Sequence, residues 1–97
     1  MKSIKLVYTI SNPMVYSTIF TNLMKMCKDQ YPSYFDKGII RVVQESDKVI
    51  NLEVTNDQDA MEKFLSGSKD VRSKMSRMTL KALGVKIVLM IDGKEVK

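Results

Sequence analysis

The densest chemistry in the chain is cationic: Lys69, Arg72, Lys74, Arg77 and Lys81 follow one another at intervals of two to four residues. On a helix, Lys63, Lys74, Arg77 and Lys81 fall in one narrow stripe, about 110° from the centre of the apolar face. Such a stripe suits phosphate, because each cation displaces a condensed counterion and no base need be read. Ser66, Ser68, Ser73, Ser76 and Thr79 lie between the cations and offer further hydrogen bonds. A second reading fits the same residues. Acids in the first turns of a helix and bases in the last ones offset its dipole, at a few tenths of a kcal/mol each, for about 0.3–1 kcal/mol at most. Both readings stand at this level.

Other reactive groups are sparse. There is no histidine, and Cys27 is the single cysteine. A Cys/His zinc site, an internal disulfide and a Cys–His or Ser–His nucleophile are therefore excluded. Acid–base work would fall to carboxylates, Lys or Tyr, and an enzyme would need a polar pocket built from them. Asp57, Asp59, Glu62 and Glu53 are close enough in sequence to meet around a divalent ion, but a helix N-terminus favours the same acids. The expectation is no catalytic residue, no metal and no cofactor.

Positioning these groups takes one domain, residues 1–97. Apolar residues make up 44% and charged residues 28%, which places the chain in the ordinary globular class. No apolar run is long enough to cross a bilayer, and no leader pattern is present, so the expected location is cytoplasmic with no membrane partner. The organising stretch is a hairpin over residues 38–55. Ile50, Leu52 and Val54 alternate there with Asn51, Glu53 and Thr55, as in a sheet with one wet face.

Residues 4–10 alternate Ile4, Leu6, Tyr8 and Ile10 against Lys5, Val7 and Thr9, reading as a first strand. Asn12-Pro13 starts a helix to about Gln30, with Val15, Ile19, Leu23 and Cys27 as its apolar stripe. Residues 31–37 read as a loop broken at Pro32, whose Tyr31, Tyr34 and Phe35 either plug the core or stack on an unpaired base near Lys28, Lys37 and Arg41. A second helix is expected over 57–83, weakened at Gly67, with two shorter helices as the alternative. Gly84 caps it, residues 85–91 form a last strand, and Asp92-Gly93 turns the chain into a short return or a tail.

The order β-α-β-β-α-β is ferredoxin-like, an antiparallel sheet of four strands with two helices on one face. The other face stays open. Val7, Ile39, Arg41, Val43, Val88 and Met90 are expected on it, alongside Lys5, Thr9, Asn51, Glu53 and Lys86. Apolar residues on an open face mark a partner, most simply a second copy of the chain. The stacking aromatics of an RNA recognition motif are missing, since Ile39, Arg41 and Val43 stand in the corresponding strand.

Two segments carry a resemblance. NPMVYSTIFTNL, with Ser17, Ile19, Phe20 and Leu23, resembles the opening helix of the small dimerising subunit of KEOPS, the complex that makes threonylcarbamoyladenosine in tRNA. KVINLEVTNDQDAM, with Asp57, Ala60 and Met61, is similar to that subunit's second strand-to-helix junction. The chain departs where Glu62 replaces an expected arginine, where Ser73, Lys74, Met75, Ser76 and Arg77 do not reproduce the Asn-Ser and Arg pattern, and in the longer strand over 85–91. The resemblance implies a non-catalytic, dimerising subunit of a tRNA-modifying complex, or a diverged paralogue of one. The leading expectation is thus a non-enzymatic homodimer or small heterocomplex bound to RNA, with Lys69, Arg72, Lys74, Arg77 and Lys81 on phosphate. The alternative is a pure protein-interaction adaptor.

Overall fold

The computed structural model describes residues 2–68 and 82–96, which form an α+β fold with a five-stranded antiparallel sheet and three helices. The strands are β1 (Ser3–Ile10), β2 (Ile40–Gln44), β3 (Val49–Thr55), β4 (Val85–Ile91) and β5 (Lys94–Val96). They lie in the order β2-β3-β1-β4-β5, every neighbouring pair antiparallel. The helices are α1 (Tyr16–Gln30), α2 (Pro32–Asp36) and α3 (Gln58–Ser68), with a single 3-10 turn at Pro13–Val15 leading into α1.

Period-2 alternation is what builds the core. Ile4, Leu6, Tyr8 and Ile10 of β1 stand beside Ile50, Leu52 and Val54 of β3, and all are buried. Ile19, Leu23 and Cys27 of α1 and Ala60, Met61 and Phe64 of α3 close over them, the i, i+4 spacing keeping each set on one helical face. The helix starts follow from side chains that satisfy free amides. Asn12 Oδ1 accepts from Met14 N at 3.0 Å, and Asp57 Oδ1 accepts from Ala60 N at 3.0 Å.

Two expectations are corrected. The sheet has five strands where four were expected: Asp92 and Gly93 take φ of 53° and 83°, the left-handed pair of a two-residue hairpin turn, and bring Lys94–Val96 back against β4. Residues 31–37 also hold a short helix where a loop was expected. Pro32 opens α2, because at the first helical position its missing N–H costs nothing. The expected helix over 57–83 is present as α3 up to Ser68, and its continuation over 69–81 lies outside the described residues.

Candidate interaction surface

Register puts the residues facing away from the helices into three rows across the sheet, with Ser3 and Thr55 as a further pair beyond the first. One row runs Arg41, Glu53, Lys5, Met90 from β2 to β4. The next runs Val43, Asn51, Val7, Val88. In the third, Val49 pairs with Thr9 and Thr9 with Lys86, and Glu45 stands just beyond β2 with its N–H donated to the Val49 carbonyl at 3.0 Å. No helix of the described residues packs on this side, yet its valines and Met90 are only partly exposed.

Five of the six residues expected on the open face are there: Val7, Arg41, Val43, Val88 and Met90. Ile39 is not. It precedes β2, after Gly38 at φ 73° has turned the chain; its N–H is donated to the Tyr34 carbonyl at 2.9 Å and its side chain packs against the core. Alternation counted back through that turn assigns it to the wrong side.

Asn51 is the residue that sequence reasoning missed. Alternation predicts a wet side chain, but Asn51 is only 2% exposed, because it lies on a central strand between Val43 and Val7. Its Nδ2 donates to Glu45, while Oδ1 has no hydrogen-bond partner among the described residues. An unsatisfied buried acceptor costs about 1–3 kcal/mol, so this position trades stability for something else or for nothing. Beside it, Arg41 bridges Glu53 at 3.3 Å, a partly exposed ion pair of small net value.

The aromatic cluster packs inward. Tyr31, Tyr34 and Phe35 rest against the core, with the Tyr31 and Phe64 rings 6.2 Å apart, and burial, with the nearby Cys27, raises the Tyr31 hydroxyl pKa. Lys28 lies 5.7 Å over Phe35 and Lys63 5.7 Å over Tyr34, so two of these rings already face a cation. Arg41 is on the opposite side of the sheet, so the stacking platform expected near Lys28, Lys37 and Arg41 is not assembled. Tyr34 donates to Asp59, whose carboxylate also meets Lys63 at 3.3 Å; the three bolt α2 to α3. The hydrogen bond from Tyr34 is the chief reason that the Asp59 carboxyl titrates below its usual range, and the Tyr34 hydroxyl, followed by the Asp59 carboxylate, holds the Lys63 ammonium above its own.

Asp57 is occupied as a helix cap, and no group of three or more Cys, Asp or Glu side chains among the described residues is placed to hold a metal ion. Burial pushes the Cys27 thiol up to about 11, which keeps it protonated at neutral pH. A cavity of about 650 Å³ beside β4 is lined by Leu6, Gly84, Val85, Lys86, Ile87, Leu89 and Val96, almost all apolar. None of the described helices is long and apolar enough to cross a membrane.

Lys69, Arg72, Lys74, Arg77 and Lys81 lie outside the described residues. Their weight in the charge balance is still clear from the sequence. Residues 69–86 hold six bases and one acid, against six acids and one lysine over residues 45–62. No known protein family, curated protein or solved structure matches the chain.

Proposed function

We propose that the chain is a non-catalytic, self-associating subunit of an RNA-associated assembly in the cytoplasm, its open sheet face meeting protein and its basic stretch meeting phosphate. The observation that carries this is the charge layout of the sequence: residues 45–62 hold six acids and one lysine, and residues 69–86 hold six bases and one acid. Dipole compensation asks for one or two cations near a helix end, whereas a run of five serves a polyanion. The resemblance of the first helix and of the β3–α3 junction to the small KEOPS subunit supports a tRNA-modifying complex as the setting. In fold terms the reading is a ferredoxin-like β-α-β-β-α-β core carrying β5 as an added edge strand.

The test is binding to tRNA as a function of salt. Three to five phosphate contacts give a slope of log K against log salt between about −2 and −5, and a slope of zero removes the phosphate contact. Reversing the charges of Lys74, Arg77 and Lys81 together should flatten that slope and leave the thermal midpoint nearly unchanged. A second reading, a protein adaptor with no affinity for nucleic acid, is favoured by one feature: the row Val43, Asn51, Val7, Val88, apolar but for one amide, on a face that no described helix covers. Zero slope together with a defined oligomer would establish it.

A further inference from the structure

The charges on the open face are arranged so that the face complements itself. We infer that it pairs with the same face of a second copy, about a two-fold axis that runs along the strands between β3 and β1. This deepens the self-association in the proposed function and is independent of the phosphate contact. Such an axis keeps each row at its own level and reverses its order, so β2 lies over the second copy's β4 and β3 over its β1.

In the first row Glu53 then faces the second copy's Lys5, Lys5 faces its Glu53, and Arg41 lies over its Met90. In the middle row Val43 meets Val88, and Asn51 meets Val7. In the third row Glu45 faces Lys86, and Val49 faces Thr9. No like charges oppose one another, and four of the face's charged positions, Lys5, Glu45, Glu53 and Lys86, gain an opposite partner. An axis across the strands does worse, setting Lys5, Glu53 and Lys86 against uncharged residues. Sheets packed in this way lie about 10 Å apart and within about 30° of parallel, a gap that lysine and glutamate side chains span from either side.

Size sets the expected strength. Four strands about 4.8 Å apart and seven residues long at about 3.3 Å each give a face of about 19 by 23 Å, near the lower limit for a specific interface. The pair should therefore be a micromolar, concentration-dependent dimer.

Sedimentation velocity from low micromolar to millimolar protein reads this directly. Lys86 is exposed, so Lys86→Glu leaves the fold intact while placing two like-charge contacts across the axis. It should weaken the dimer at least about tenfold. Adding Glu45→Lys should return the affinity to within about threefold of wild type. Within one chain these two positions are three strand spacings apart, about 14 Å, so the rescue can arise only between copies. Val88→Lys, which sets a charge against the second copy's Val43, should produce the same loss without touching Glu45. A protein that stays monomeric at millimolar concentration overturns both this interface and the self-association. A dimer indifferent to Lys86→Glu and Val88→Lys, or a double variant no tighter than the single one, overturns the interface alone.

Discussion

The two sides of β1 and β3 are made from the same strands and meet opposite environments. On the helix side Ile4, Leu6, Ile50, Leu52 and Val54 pack as a continuous apolar layer at 0–6% exposure. On the other side the middle row is the most apolar, and the flanking rows carry Arg41, Glu53, Lys5, Glu45 and Lys86 alongside Met90 and Val49. The difference teaches that burial here is a matter of depth in the sheet as well as of face. Asn51 is as buried as the core residues, in mid-row between Val43 and Val7 with its amide on Glu45, whereas the outward valines of β1, β2 and β4 are partly exposed.

The comparison can be broken by truncating one residue on each side. Leu52→Ala should cost about 2–5 kcal/mol in urea unfolding, since Leu52 is fully enclosed, while Val7→Ala should cost under about 1.5 kcal/mol. Equal losses would mean that the open side is packed as densely as the core. Asn51→Val sharpens the point: it removes an acceptor that has no partner along with the hydrogen bond to Glu45, and stability should stay within about 1 kcal/mol of wild type. A loss above about 2 kcal/mol would show that Oδ1 is satisfied.

The smallest effect concerns pH. The backbone amides of Lys2 and Ser3 donate to Asp92 Oδ1 at 2.6 and 2.9 Å and hold its carboxyl below the ordinary range, and Asp59 is lowered as well. A depressed folded-state pKa gives stability that is fully present above the unfolded value and lost as pH falls through the folded one. The thermal midpoint should therefore be flat near neutrality and decline below about pH 4. Asp92→Asn should shrink that decline, and a midpoint whose acid response is identical in wild type and Asp92→Asn would rule out the linkage.

Much of the fold was legible because period-2 and period-3.6 patterns are long and clean in β1, β3 and α1, where every residue assigned to the core is buried or half-buried. The misses have separate physical causes. Pro32 serves equally to end one helix or to begin another, and nothing in a five-residue segment decides between them. Ile39 follows a glycine turn, where strand parity restarts. Asn51 was placed on its correct side, but alternation carries no information about depth. The open face was legible as a face, and its self-complementarity was not, because charge pairing depends on the order β2-β3-β1-β4, which only the register supplies. The basic stretch was read from sequence alone and rests on that reading still.

The staple at Asp92 has a consequence for how the molecule is made. Strand β1 is made before both of its neighbours, β3 and β4, and the amides at its entry are satisfied by a turn ninety residues later. The β2–β3 hairpin can zip locally, but the central strand must wait, half-clothed, for β4 to be made. The sheet is thus closed by its most distant pairing, and β1 is fully housed only once β4 lies beside it.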